Sequence, residues 1–304
     1  MSLSAVESLR EVESTTTAVS AGEWVRSHRW PLLIVVAAIV MLYATNFEKL
    51  FSDWSVDENY SHGFFVPIAF FWMLWRQRHE LESTKVSPRW WGILIVFMAL
   101  LQLAAGTMGA ENFVAHSSLL TLLCGITLFL FGIEMLRLVA FPIAWLLFMI
   151  PLPSIIFYSI TFPLQLLASK LAVGILDLLR VPNVCEGNVI YLANFTAGVV
   201  EACSGIRSLV SMLAFAVLMG YLLNMSVRSR WILAITAVPI ALGMNAARIA
   251  GTGLAGNYLG ERWAEGFFHT FSGWVLFLGS LALMLGVVRL LRDFDERRLT
   301  GRPT

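Results

Sequence analysis

Apolar residues fall into long blocks along this chain, and polar residues gather in the short stretches between them. Residues 1–29 are polar, rich in Ser, Thr and Glu, and show no apolar periodicity. They predict a disordered cytoplasmic tail ending in Arg26-Ser27-His28-Arg29. It is too long and too acidic for a signal-peptide start, so an uncleaved signal anchor is expected. Apolar blocks then predict membrane spans at roughly 30–46, 63–75, 90–107, 113–132, 136–150, 205–223, 231–249 and 270–291. Several of these are shorter than the ~20 residues a crossing helix needs. After the fifth, Pro151-Leu152-Pro153 breaks the pattern. The stretch 163–180 is apolar, but Gln165, Ser169, Lys170, Asp177 and Arg180 share one arc of a helical wheel, which predicts a helix lying in the interface. From Val184 to Glu201, β-branched pairs alternate with Gly187, Asn194 and Gly198, the pattern of a β-hairpin. The expected fold is therefore an all-α polytopic membrane protein of about eight transmembrane helices. Its interfacial helix and small β-hairpin lie on the extracytoplasmic face before Cys203. The membrane domain covers 30–291, and 292–304 is a second cytoplasmic tail.

Composition agrees with that pattern. The chain is 58% hydrophobic and 13% charged, with a mean hydropathy of +0.75. A soluble domain is nearer half apolar and a quarter charged. The net charge of +1 carries little information about partners. No basic run is interleaved with aromatics, so no nucleic-acid partner is expected. Cys124, Cys185 and Cys203 show no CxxC spacing, which argues against a zinc or thioredoxin-type motif.

Lys and Arg set the orientation. With both termini inside, the inner segments hold fifteen of the 21 cationic residues and the outer ones hold Lys49, Lys170, Arg180, Arg207, Arg248 and Arg262. That bias puts both ends in the cytoplasm. If 163–180 crossed the bilayer, the bookkeeping of one half would invert.

Three polar-to-apolar junctions then stand on the outer face. Glu201-Ala202-Cys203-Ser204-Gly205-Ile206-Arg207-Ser208-Leu209 places a cysteine at the start of a helix, beside the capping residues Ser204 and Gly205. A helix N-terminus is partly positive and lowers a thiol's pKa from about 8.5, so more thiolate is present. The same cysteine also suits a buried apolar position or a disulfide with Cys185. Arg248, with Asn245 one turn earlier, sits at the outer end of the seventh span. A guanidinium there serves as an oxyanion or carboxylate clamp, or else snorkels to the interface. His269, among Phe267, Phe268 and Phe271, suits a proton shuttle near neutral pH, or a structural interfacial role. Glu201 and Arg207 are placed to pair and brace the Cys203 segment. Tyr60, Ser61 and His62 form a second outer cluster that suits substrate contact or interface anchoring.

The three blocks EACSGIRSL, NAARIAGTG and GFFHTFSG resemble the signature blocks of the exosortase/archaeosortase family, most closely its exosortase A type. NYSHGFFVP at 59–67 also resembles that family's second loop. The resemblance covers nearly the whole membrane domain. It implies a catalytic set of Cys203 as nucleophile, Arg248 as transition-state stabiliser and His269 as general acid/base, with Glu201, Ser204, Arg207 and Asn245 in support. It implies a bacterial inner membrane with the site facing the periplasm. Its implied partners are exported proteins that end in a Pro-Glu-Pro motif, a transmembrane helix and a basic tail, the PEP-CTERM signal. The implied activity is cleavage of that signal through a thioacyl-enzyme, with transfer to water or to a cell-surface acceptor, a lipid or an exopolysaccharide-linked group. No metal or organic cofactor is implied. Some members carry an extra C-terminal domain, whereas this chain ends soon after its last apolar block. The rival reading is a non-enzymatic inner-membrane transporter or assembly component for exopolysaccharide export. That reading would set charges near the midplane of several spans; here they sit near predicted helix ends.

Overall fold

The computed structural model describes residues 19–199, 205–265 and 267–300. In chain order the helices are α1 (Ala21–Ser27), α2 (Arg29–Leu42), α3 (Ala44–Val56), α4 (Phe65–Arg76), α5 (Arg78–Ser83), α6 (Trp91–Met108), α7 (Asn112–Leu130), α8 (Ile133–Trp145), α9 (Ser154–Leu178), α10 (Ile206–Leu222), α11 (Val227–Leu259), α12 (Glu261–Glu265) and α13 (Phe267–Thr300). Short 3-10 helices cover Glu58–Phe64 and Leu146–Met149. Strands β1 (Asn183–Glu186), β2 (Val189–Leu192) and β3 (Thr196–Gly198) lie between α9 and α10.

Among the described residues, five helices are long and apolar enough to cross a membrane: α6, α7, α9, α11 and the Ser272–Arg297 part of α13. A sixth arises if α1 and α2, bent by 84° at their junction, count as one span. The eight expected spans are thus not all of this kind. Those at 63–75 and 136–150 fall on α4 and α8, of 12 and 13 residues, short of the ~20 that cross a bilayer, and that at 205–223 falls on α10, whose 17 residues are at the low end of a crossing helix. The interfacial helix expected at 163–180 is instead the second half of α9, which runs unbroken for 25 residues with Pro163 inside it. Its polar arc is divided: Gln165 and Ser169 are buried, while Lys170 and Asp177 are exposed. The arc therefore serves packing as much as solvent. The expected tails are also partly helical. Ser20 and Glu23 form a reciprocal capping box that starts α1 inside residues 1–29, and α13 continues past 292.

The chain forms two compact units. The first holds residues 1–57 and 61–151. Its centre is the antiparallel pair α6–α7, where Gly106 lies on Ala115 and Gly125 on Val96, so the helix backbones approach closely. Hydrogen bonds add to that seam: Gln102 Nε2 donates to Ser117 Oγ at 2.9 Å, and Thr121 Oγ1 donates to Gln102 Oε1 at 3.0 Å. Buried Tyr43 and Ser118 share a hydroxyl hydrogen bond of 2.7 Å.

The second unit holds residues 58–60 and 152–304. Its core is a three-helix bundle in which Met212 and Ala216 of α10, Leu233, Ala237 and Ala241 of α11, and Met284 and Val288 of α13 pack together. One end is latched. Ser226 caps α11, and Asp295 of α13 accepts from Ser226 N at 3.0 Å and from the hydroxyls of Ser226 and Ser229 at 2.9 Å each. A carboxylate there also faces the positive end of α11.

At the other end sits the sheet. The hairpin expected over Val184–Glu201 is a three-stranded antiparallel sheet in the order β1-β2-β3. Strands β1 and β2 pair from Asn183–Leu192 to Glu186–Val189, closed by the two-residue turn Gly187–Asn188. The third strand is pinned by Asn188 Nδ2 donating to Val199 O at 3.0 Å and Val199 N donating to Asn188 O at 2.8 Å. Ile190, Leu192 and Val199 bury one face of the sheet on Ala168, Ala172 and Leu176 of α9 and on Ile249 and Ala250 of α11.

Helix α11 explains why the sheet can dock there. Its 33 residues span roughly 50 Å, against about 30 Å for a bilayer core, so it continues well beyond the span expected at 231–249. The extension is rich in glycine. A β-carbon on Gly256 would overlap the ring of Phe195, and one on Gly253 would press on Leu192 at 3.1 Å. Asn257 completes the contact, its Oδ1 accepting from Asn194 N at 2.9 Å.

Candidate active site

Cys203, Glu201 and Ser204 lie outside the described residues, and so does any pairing between Glu201 and Arg207. The residues flanking that segment are fixed. On one side Val199 is 1% exposed and packs with Ile249 and Ala250 of α11. On the other, Gly205 caps α10 with φ +80°, in the left-handed region. A β-carbon on Gly205 would stand 3.0 Å from Cγ and Nδ2 of Asn245. Both flanks therefore rest on the same stretch of α11, between Asn245 and Ala250.

Arg248 belongs to that stretch. It is half-buried, and roughly three helical turns of α11 follow it, so it is not at a helix end as its sequence context suggests. Asn245 and Arg248 are three residues apart and share a face of α11. The Asn245 amide meets the start of α10, and Arg248 Nη1 stands 3.9 Å from the β-position of Gly273 on α13. His269 is one turn before Gly273 along α13. The backbone of His269 is described, in the first turn of α13. One turn of α11 thus touches the two helices that begin beside the cysteine block and the histidine block.

The polar character of this end is cationic. Arg207 is in the first turn of α10, where a positive charge opposes the helix dipole. Its Nη2 donates to Glu58 Oε2 across 149 residues of sequence. Glu58 opens the 3-10 helix Glu58–Phe64 and was not singled out in the sequence, although it directly precedes the Asn59-Tyr60-Ser61-His62 cluster. Within that cluster, the Tyr60 ring lies 6.0 Å from the Phe157 ring, and His62 Nε2 donates to Phe148 O at 3.0 Å. These are anchoring contacts for Tyr60 and His62; Ser61 stands between them in the same helix.

Cys185 is a free thiol in β1, its Sγ 3.6 Å from Gly187 O. Among the described residues, no three His, Cys, Asp or Glu side chains gather as a metal site.

The family model described as "Transmembrane exosortase" matches residues 54–286, well over half of the chain. No curated protein and no solved structure matches the chain.

Proposed function

Since the chain belongs to the transmembrane exosortase family, we propose that it is a multi-pass cysteine peptidase and transpeptidase that cleaves the C-terminal sorting signal of exported proteins. The observation that carries this reading is the reach of one helical turn. Asn245 packs on Gly205, two residues after Cys203, and Arg248 lies beside Gly273, one turn after His269.

In this mechanism the Cys203 thiol gives its proton to His269. The thiolate attacks a backbone carbonyl of the substrate, and the carbon–sulfur bond forms. Arg248 donates hydrogen bonds to the resulting oxyanion, where charge develops in a site of low dielectric. The carbon–nitrogen bond then breaks, and the leaving amine takes the proton from His269. A thioacyl-enzyme remains. Water, or an acceptor hydroxyl or amine, loses its proton to His269 and displaces the thiolate. Asn245 acts through Gly205, holding the start of α10 in place.

The proposed substrates carry a Pro-Glu-Pro motif, a transmembrane helix and a basic tail, and the proposed setting is a bacterial inner membrane. The site end of the bundle faces the periplasm in this reading. Its opposite end carries Arg228, Arg230, Arg289, Arg292 and Arg297, as cytoplasmic ends do. Reporters inserted at the Gly187–Asn188 turn and at Asn224 should signal from opposite sides of the membrane.

The test of the activity is substrate processing by cysteine variants. Cys203→Ala and Cys203→Ser should leave full-length substrate in the membrane, because a hydroxyl is far less ionised than a thiol. Cys185→Ala should process it normally. Equal failure of Cys203→Ala and Cys185→Ala would point to a cross-link or a packing role instead.

A further inference from the structure

We propose that a pocket at one end of the first unit holds a phospholipid with a phosphoethanolamine headgroup, its phosphate on Arg26 and its ammonium on Glu82. The proposal is independent of the peptide-cleaving reading, and its lipid stays bound rather than being consumed. The pocket has a volume of about 500 Å³, within the size range of ligand sites. Its apolar wall consists of Leu74 near the end of α4, Phe131 just after α7, and Met135 and Val139 on the first two turns of α8. Met135 and Val139 are buried in a core cluster of this unit, so the wall is part of the packed interior. Helix α1 forms the rim and is fixed there. Ala21 N donates to Thr84 O at 2.8 Å, and Val86 N donates to Val19 O at 3.1 Å. A β-carbon on Gly22 would meet Glu82 Cβ at 3.3 Å, so α1 and α5 also pack closely.

This end of the unit stands at the level of lipid headgroups. Trp30, Trp75, Trp90 and Trp91 are exposed. The rings of Trp90 and Trp91 stack at 4.0 Å, the Arg29 guanidinium lies 5.4 Å over Trp30, and that of Arg78 lies 4.7 Å over Trp75. Exposed Trp with Arg beside it marks a membrane–water boundary. From there the pocket reaches Val139, roughly 9 Å along α8 from Ile133, toward the depth of acyl chains. An apolar pocket that opens at this level meets lipid at a far higher concentration than any dissolved ligand.

The charges at the pocket select the headgroup. Two of the described residues that line it are charged, Arg26 and Glu82, and both are exposed. They form no ion pair with each other or with another described residue. Arg26 Nε donates to Gly22 O at 3.1 Å, which leaves the two terminal amino groups of the guanidinium for a ligand. A cation and an anion that line one pocket without pairing suit a ligand that carries both charges itself. Phosphoethanolamine does so: its phosphate accepts from a guanidinium, and its ammonium has three N–H donors for a carboxylate. A phosphocholine head keeps both charges but has no N–H to donate. A phosphoglycerol head serves Arg26 but brings no cation to Glu82.

Native mass spectrometry of the full chain, stripped of lipid in detergent, reads the bound lipid directly. The probes are phosphatidylethanolamine, phosphatidylcholine and phosphatidylglycerol with identical acyl chains, and soluble glycerophosphoethanolamine. The chain should retain phosphatidylethanolamine at a concentration about tenfold below that needed for either other lipid, the difference made by a charged hydrogen bond. Glycerophosphoethanolamine should not displace it at the same concentration, because it has no acyl chain for the apolar wall. Glu82→Gln should lower retention of phosphatidylethanolamine to that of phosphatidylcholine, and Glu82→Lys should prefer phosphatidylglycerol. Arg26→Gln should weaken all three about tenfold, since each offers a phosphate. Glu80→Gln, on α5 but outside the pocket, should keep the wild-type order. Equal retention of the three lipids, an unchanged order in Glu82→Gln, or displacement by glycerophosphoethanolamine overturns the proposal. Retention of phosphatidylethanolamine only after deletion of residues 2–18 would assign the pocket to the chain's own N-terminal segment and overturn it as well.

Discussion

The Asn245 amide lies against the backbone of Gly205, so close that a β-carbon there would stand 3.0 Å from Asn245 Cγ. Two residues before that contact is the cysteine of the first signature block, and three residues after Asn245 is the arginine of the second. The contact ties the two blocks together by packing rather than by sequence proximity.

Gly205→Ala should therefore damage the site in two ways. A left-handed φ costs an L-residue about 1–2 kcal/mol, and the new methyl group must push Asn245 aside. We expect a lower melting temperature in detergent and a loss of most substrate processing. Adding Asn245→Ala removes the collision but not the backbone strain, so the double variant should recover only part of the stability. Full recovery of processing in the double variant would show that the fit between these two residues does not matter for the site.

Arg248→Lys keeps the charge and removes the planar fork that donates two hydrogen bonds at once. Loss of one oxyanion donor typically costs on the order of 10²–10³ in turnover. We expect a drop of that size with normal accumulation in the membrane, read by substrate processing and immunoblotting. Near-normal processing would mean that a point charge suffices and would remove the clamp role.

Asp295 supplies a contrast, because it holds the opposite end of the bundle. It accepts three hydrogen bonds from Ser226 and Ser229 at the start of α11. Asp295→Ala leaves the nearly buried Ser229 hydroxyl without that acceptor, a cost of about 1–3 kcal/mol. The melting temperature should fall, while turnover per folded molecule at low temperature should stay close to wild type. A selective loss of turnover with unchanged melting would contradict a purely structural latch.

The sequence pattern located α6 and α7 within one or two residues at most of their ends, because uniformly apolar blocks bounded by charged or turn residues leave little choice of register. It also located the strands after Val184. It missed the third strand, since Thr196–Gly198 is only three residues long and gains its pairing from β2. Helix α11 was expected to stop near residue 249, and it runs on to Leu259. Gly253 and Gly256 in that extension form the floor for Leu192 and Phe195, so packing outweighs helix propensity there. The interfacial segment was expected to begin at 163, yet α9 begins at Ser154 and carries Pro163 inside it. The site residues Cys203, Arg248 and His269 stood out as reactive types at block junctions, and Glu201, Ser204, Arg207 and Asn245 were named beside them, but Glu58 was not. The Glu58 partner of Arg207 is 149 residues away, and nothing in local spacing links the two.

The central claim is that Cys203 forms a covalent thioacyl bond to the substrate, and mass spectrometry of the enzyme reads this directly. The enzyme is incubated with substrate, quenched in acid and digested. The account predicts that the Cys203 peptide gains the mass of the substrate's N-terminal fragment, that hydroxylamine removes the adduct, and that the released substrate ends at the same residue. Truncated substrate with no adduct on Cys203, or with the adduct on another residue, would contradict it.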